Sequence, residues 1–260
     1  MTTCYFSRRT KIEILKEIGN KEKILDIVFP PRCALCDTVL PPGGGYICDE
    51  CTDKLSFVKE PRCFKCGKTI AAFEEEYCMD CSRRKRSYIK GYPVFNYVPP
   101  ISESIMALKY GRRQEYSKFF GRIIADKYGE EFIRIGIDAL VSVPVFKKKY
   151  ATRGYNQAEL IALEIERRTG IMNMHDFLVR VEETPPQKEL TDEEREKNMI
   201  RAFSIGKGFA SGKSENVPSR ILLVDDIYTS GATIEACTRV LLAAGVKEVY
   251  YTSVAIGVSS

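Results

Sequence analysis

Ile221-Leu222-Leu223-Val224-Asp225-Asp226-Ile227-Tyr228-Thr229-Ser230-Gly231-Ala232-Thr233 is the stretch from which the rest of the chain can be read. Four branched apolar residues, Ile221 to Val224, match a parallel strand buried on both faces. Two carboxylates and a small, hydroxyl-rich turn follow; Ile234 to Ala244 then has helical spacing and is closed by Gly245. The turn is thereby put at the carboxyl end of a strand, where open α/β sheets hold ligands. Thr229, Ser230, Gly231 and Thr233 offer hydroxyls and successive N–H groups at a helix N-terminus, whose dipole favours a phosphate. Asp225 and Asp226 would repel phosphate but suit sugar hydroxyls, which donate hydrogen bonds, and Mg²⁺ through water. An ordinary strand-to-helix turn with an acidic start is the plainer reading. Against it stands the coincidence of strand, paired acids, Thr-Ser-Gly-x-Thr and helix.

At 260 residues the chain can hold one full core and a small module. Its 44% apolar and 29% charged content is that of a globular domain, and a net charge of +5 does not by itself announce a nucleic-acid binder. No apolar run approaches the roughly 20 residues that cross a bilayer. Met1 to Asn20 mixes Arg8, Arg9, Lys11 and Lys16 with Glu13 and Glu17 and has no signal-peptide pattern, so a cytoplasmic protein is expected.

Eight of the ten cysteines form four C-x-x-C pairs: Cys33/Cys36, Cys48/Cys51, Cys63/Cys66 and Cys78/Cys81, each beginning 15 residues after the one before. A pair of thiolates three apart grips one ion from a tight knuckle, and two knuckles complete a closed tetrahedral site. Eight ligands therefore imply two structural Zn²⁺ ions. Pro31-Arg32-Cys33-Ala34-Leu35-Cys36 matches Pro61-Arg62-Cys63-Phe64-Lys65-Cys66 at a shift of 30, so the unit is duplicated. Duplication favours Cys33, Cys36, Cys48 and Cys51 around one ion and Cys63, Cys66, Cys78 and Cys81 around the other; an interleaved cross-brace is the open alternative. Disulfides or a redox pair fit less well, without a secretion signal or a surrounding βαβ unit. Cys237 falls in the helix after the turn and reads as a core or half-buried residue; His175, the sole histidine, reads as a surface or structural residue.

Four segments follow. Residues 1–30 contain a helical pattern from Ile12 to Phe29, stopped by Pro30-Pro31; 31–82 form the double zinc module; 83–90 are a linker with Arg83-Arg84-Lys85-Arg86, a solvated hinge or a nucleic-acid contact; 91–260 carry the α/β pattern. In that last segment Tyr92–Tyr97 reads as a strand, and helices are expected around Ile105, Leu108 and Lys109 and over 117–132. A buried strand over 138–145 leads into a basic loop, Lys147-Lys148-Lys149 to Arg153, before the helix 158–168. If that strand shares a parallel sheet with Ile221–Val224, the loop's cations face the same crevice as Asp225 and Asp226. Phe177–Val181 and Ala202–Ile205 read as strands around the polar excursion 180–198, which has a Thr191/Glu194 capping box and the look of a lid. The stretch 206–218 reads as mobile and 249–256 as the last strand.

The acid–turn motif resembles the phosphoribosyl pyrophosphate (PRPP) motif of type I phosphoribosyltransferases, with Tyr228 where a smaller aliphatic residue is common. From about Leu25 onward the chain resembles the ComF family of competence-associated proteins, which join zinc ribbons to a phosphoribosyltransferase-like domain. The marks are Phe29-Pro30-Pro31-Arg32-Cys33, Leu108-Lys109-Tyr110-Gly111, Val143-Pro144-Val145, Arg153-Gly154-Tyr155-Asn156-Gln157-Ala158, Thr184-Pro185-Pro186-Gln187 with Arg195 and Asn198, and Asp225 to Thr233. The resemblance implies an α/β fold of type I phosphoribosyltransferase kind, with a parallel sheet, flanking helices and a hood over 180–198. It implies that Asp225 and Asp226 hold the ribose, that Thr229, Ser230, Gly231, Ala232 and Thr233 hold the 5′-phosphate, and that Lys109, Arg153 and the lysine loop meet the pyrophosphate with Mg²⁺. It links the chain to single-stranded DNA uptake and the competence machinery. Phosphoribosyl transfer to an unnamed acceptor, a PRPP-responsive regulator without catalysis, and a nucleic-acid-binding adaptor are all compatible with it.

Overall fold

A computed structural model describes residues 30–41, 43–182, 198–209 and 217–258. The helical pattern of Ile12 to Phe29, the Thr191/Glu194 capping box, Thr184 to Gln187, Arg195 and residues 210–216 lie outside the described residues. By their contacts the residues fall into two compact units, divided between Leu55 and Ser56. The division lies inside segment 31–82.

The first unit is a knuckle pair. Cys33 N–H donates to the Thr38 carbonyl (2.8 Å), Asp37 N–H returns to the Cys33 carbonyl (2.9 Å), and Ala34 N–H reaches Tyr46 (2.8 Å). A single helical turn, α1 (Asp49–Thr52), starts immediately after Cys48. The second unit opens with the same design 30 residues on: Cys63 N–H to Lys68 (2.8 Å), Gly67 N–H to Cys63 (2.9 Å), Phe64 N–H to Glu76 (2.9 Å), and α2 (Met79–Arg83) after Cys78. Duplication is thus carried down to individual backbone hydrogen bonds.

The remainder of the second unit is an α/β fold. Its elements run β1 (Gly91–Asn96), α3 (Ile101–Tyr110), α4 (Tyr116–Arg134), β2 (Ala139–Ser142), α5 (Lys147–Arg153), α6 (Gln157–Thr169), β3 (Met172–Asn173), β4 (Leu178–Arg180), β5 (Phe203–Ile205), β6 (Arg220–Tyr228), α7 (Ala232–Ala243) and β7 (Glu248–Ile256). Five strands form one parallel sheet in the order β1-β7-β6-β2-β3. β4 and β5 make a separate antiparallel pair.

Two expectations change here. β6 does not stop at Val224: its ladder with β7 runs from Arg220↔Glu248 to Tyr228↔Ile256, so Asp225 and Asp226 lie within the strand. The stretch after β2 is not a loop, since Lys147 to Arg153 winds into α5, ended by Gly154 in the left-handed conformation (φ 82°).

Side chains alternate across the pleat of the sheet. Ile221 and Leu223 of β6, Val141 and Val143 of the β2 segment, and Val249 and Tyr251 of β7 share one apolar cluster with Cys237 and Leu241 of α7. Cys63, Cys66 and Ile70 of the second ribbon belong to that same cluster. The second ribbon is therefore part of the core of the α/β unit.

Its knuckle lies so close to β1 that a Cβ on Gly67, itself at φ 74°, would sit 2.5 Å from Pro93 Cδ and 2.7 Å from the Gly91 carbonyl. The matching position of the first ribbon is Asp37, also left-handed at φ 62°. Gly67→Asp, which copies the first repeat into the second, is expected to lower stability by about 1–3 kcal/mol through overpacking. Urea unfolding of the two proteins measures the difference.

Candidate functional site

The sulfurs of Cys33, Cys36, Cys48 and Cys51 all lie within 4.8 Å of one another, and so do those of Cys63, Cys66, Cys78 and Cys81. Each repeat thus closes its own Cys₄ set, and the interleaved arrangement is not formed. A tetrahedral thiolate site with metal–sulfur bonds of about 2.3 Å has edges of roughly 3.8 Å. Cys36 and Cys48 stand 3.7 Å apart and Cys66 and Cys78 3.6 Å, so both sets fit zinc with no position left open for chemistry. The Thr38 hydroxyl, 3.2 Å from the Cys36 sulfur, helps hold that thiol down to about 6. The first set is partly open to solvent at Cys36, whereas Cys63, Cys66 and Cys78 are buried.

The second candidate site lies where β2 and β6 end side by side. The register Ser142↔Val224, continued by Val143 N–H to the Val224 carbonyl (2.9 Å), brings their carboxyl ends to one edge. From β2 the chain passes outward to β3, while from β6 it turns to β7 on the opposite side. In open sheets such a reversal is where the two departing connections part and ligands usually sit. The condition on which the basic segment and the acid pair face a common crevice is therefore met by the sheet.

Because the acids lie in the strand, they point to opposite sides of it. Asp226 is buried, with Oδ2 3.0 Å from Lys109 Nζ on α3, yet that oxygen has no hydrogen bond of good geometry. Asp225 is half-buried and accepts from Asp226 N–H (2.8 Å); with burial, its charge raises the pKa of the Cys237 thiol on α7. Burial first, and then the neighbouring Asp226 charge, push Asp225 up to about 8. A sugar lying across the end of β6 would meet one carboxylate on each side.

The turn that follows is shaped by Gly231, at φ 76° and with no room for a Cβ, which would come 2.2 Å from the Tyr228 hydroxyl. Thr229 and Ser230 are exposed, and α7 begins at Ala232. Glu235 N–H takes the Gly231 carbonyl (2.9 Å), and among the described residues the N–H groups from Thr229 to Ile234 have no backbone partner. Those groups can converge on an anion.

The Arg153–Gln157 motif works as a tether. Tyr155 OH donates to the Leu108 carbonyl, Asn156 Nδ2 donates to the Val143 carbonyl (3.0 Å), and Asn156 Oδ1 caps α6 at Ala158 N–H (3.1 Å). The residue bearing Lys109 is thereby held against the end of β2. The Arg153 guanidinium lies over the Tyr110 ring (4.8 Å) and donates to Gln157 Oε1 (2.9 Å), so Arg153, Tyr110, Lys109 and Asp226 form one neighbourhood. Lys147 to Lys149 are exposed and form no ion pair among the described residues. They occupy the first turn of α5, where the helix dipole disfavours cations.

Nothing in the sequence shows the tethering role of Tyr155 and Asn156, nor that Arg86 of the basic linker donates to the Ser230 carbonyl. The linker is thus anchored to the turn at Arg86 rather than solvated throughout. His175 pairs at the surface with Glu159 (2.9 Å), and Cys237 is fully buried, both as expected.

The raised pKa of Asp225 has a consequence for stability. The folded state holds that proton more tightly than the unfolded chain, so the contribution is complete below the ordinary pKa of 3.8 and is lost as pH rises to about 8. Asp225→Asn keeps the oxygen that accepts from Asp226 N–H and removes the charge. It is expected to raise stability by about 1–2 kcal/mol near pH 8 and by little at pH 4, as thermal melts across that range would measure.

Residues 24–82 match the family model of the double zinc ribbon domain. The chain is similar to Competence protein F of Haemophilus influenzae, with 27% identity over 225 residues, covering 85% of this chain and 95% of that protein. It is 26% identical over 226 residues to the DNA utilization protein YhgH of Escherichia coli K12, covering 86% and 96%. It is also 26% identical over 205 residues to Competence protein ComFC of Streptococcus pneumoniae, covering 78% and 84%. The resemblance to the ComF family read from the motifs is borne out by these relatives. Among the described residues no helix is long and apolar enough to cross a membrane.

Proposed function

With relatives named for competence and DNA utilization aligned along most of the chain, we propose that this protein handles DNA during uptake or use of external DNA and that its α/β unit binds PRPP. The observation that carries the PRPP reading is the end of β6: two carboxylates on opposite sides of one strand, followed directly by a turn of N–H groups without backbone partners. The carboxylates accept from the ribose 2′ and 3′ hydroxyls. The 5′-phosphate lies against Thr229, Ser230, Gly231, Ala232 and Thr233 at the positive end of α7.

Lys109 and Arg153 supply cations on the α3 side, where the pyrophosphate of such a ligand would project. Lys109 is paired with Asp226, so a diphosphate competes for an ammonium already held within the site. Mg²⁺ accompanying the diphosphate would meet hard oxygen donors at Asp225 and Asp226 and would neutralise the leaving group. Transfer of the ribosyl group breaks the C1′–O bond, pyrophosphate leaving with the bonding pair, and forms a bond from C1′ to the nucleophilic atom of an acceptor, which gives up its proton to solvent. The chain's part in it is to hold both ends of the sugar and stabilise the departing charge.

At about a hundredfold excess over Kd, PRPP with Mg²⁺ should raise the melting temperature of the wild-type protein by on the order of 5 °C. The Asp225→Asn/Asp226→Asn double variant should show no such rise. An equal response of the two proteins, or none in the wild type, removes the reading. Pyrophosphate release in the presence of candidate nucleobases measures transfer separately.

A further inference from the structure

Tyr228 takes no part in the ligand contacts proposed above, yet it is buried and stands directly before the turn. Its ring stacks on Tyr251 of β7 with centroids 4.8 Å apart and planes 10° from parallel. The Tyr251 hydroxyl donates to the carbonyl of Cys66, a ligand of the second metal centre (2.8 Å). Tyr228 and Tyr88 hydroxyls are 2.8 Å apart, and Tyr88 packs edge-on against both rings. At the other end, the Gly231 backbone rests against the Tyr228 hydroxyl with no room for a methyl group. A continuous stack of buried rings therefore runs from the Cys66 knuckle to the turn.

A second route follows the chain. α2 ends at Arg83, and three residues later Arg86 donates to the Ser230 carbonyl. Ser87 gives both its N–H (2.8 Å) and its hydroxyl (2.7 Å) to the carboxylate of Glu235, buried in the first turn of α7. Buried polar groups that lose such partners cost on the order of 1–3 kcal/mol each, so the knuckle cannot move without disturbing the turn or leaving these groups unpaired. The first Cys₄ centre belongs to the other compact unit, and its exposed Cys36 corresponds to the buried Cys66.

We propose that Tyr251 and Tyr228 are positioning residues through which the second Cys₄ centre sets the shape of the Thr229–Gly231 turn, so that losing the second ion weakens phosphate binding there while losing the first does not. The ligand half of this proposal rests on the PRPP reading; the mechanical half does not.

The full-length, zinc-loaded protein is compared with Cys81→Ser, Cys36→Ser and Tyr251→Phe. Zinc per chain, PRPP affinity, and hydrogen exchange of the Glu235 amide, which is bonded to the Gly231 carbonyl, are measured for each. Cys81→Ser and Tyr251→Phe should each speed that exchange and weaken PRPP binding by about tenfold. Tyr251→Phe should keep both zinc ions, which separates a positioning role from simple loss of metal, and Cys36→Ser should leave both readouts unchanged. Exchange at Glu235 that is unaltered in Cys81→Ser and Tyr251→Phe, or raised equally in Cys36→Ser, overturns the proposal. If Cys81→Ser does not fold, Tyr251→Phe decides the matter. If the wild type binds no PRPP, the ligand reading falls and the exchange data still decide the coupling.

Discussion

The parallel pairing of β6 with β2 on one side and β7 on the other is the constraint on which the crevice depends. A parallel ladder holds neighbouring strands in the same direction, so every connection from a carboxyl end starts at the same edge. Pairing with β2 brings the Lys109 and Arg153 neighbourhood to that edge, because Asn156 is bonded to the Val143 carbonyl and Tyr155 to the Leu108 carbonyl. Pairing with β7 continues past Val224 to Tyr228 and splits the two carboxylates between the faces of the sheet. A loop at this place could turn both acids the same way. The strand forbids it, and burial together with the neighbouring Asp226 charge raises the pKa of Asp225.

The metal sites follow a different logic. A ribbon of this size has too few apolar side chains to fold on burial alone, and structural zinc contributes on the order of 10–16 kcal/mol in isolated fingers. Both repeats use the same hydrogen-bond scheme around their knuckles. Their surroundings differ: the second contributes Cys63, Cys66 and Ile70 to the core beneath α7 and meets β1 through Gly67. One repeat has thus been absorbed into the packing of a larger fold, while the other stands in a compact unit of its own.

Much of this was legible from residue order. Four C-x-x-C pairs at a constant spacing announce two Cys₄ sites, and a shift of 30 announces which cysteines share an ion. The branched run Ile221 to Val224 announces a buried parallel strand, and Thr229 to Thr233 the turn that leads into α7. What was not legible depended on partners distant in sequence. Asp225 to Tyr228 look like a turn because acids and a Thr-Ser-Gly sequence disfavour strands locally; only the backbone of β7, some thirty residues on, draws them into the ladder. Lys147 to Arg153 look like a solvated loop because repulsion between lysines hides a helical turn ended by Gly154. Tyr155 and Asn156 stand out as a motif, but their carbonyl partners at Leu108 and Val143 belong to elements that sequence alone does not bring together. The second ribbon read as half of an independent module for the same reason: nothing local to Cys66 names Tyr251.

On the PRPP reading proposed above, a phosphorylated sugar lies across the end of β6 with its phosphate on the Thr229–Thr233 turn. Phosphorus NMR of PRPP with Mg²⁺, titrated with the protein, tests this at the atoms concerned. The 5′-phosphate and diphosphate resonances should both shift or broaden with the wild-type protein, and Gly231→Ala, which distorts the turn, should abolish the change at the 5′-phosphate. Resonances that keep their positions and widths in an excess of wild-type protein would contradict it.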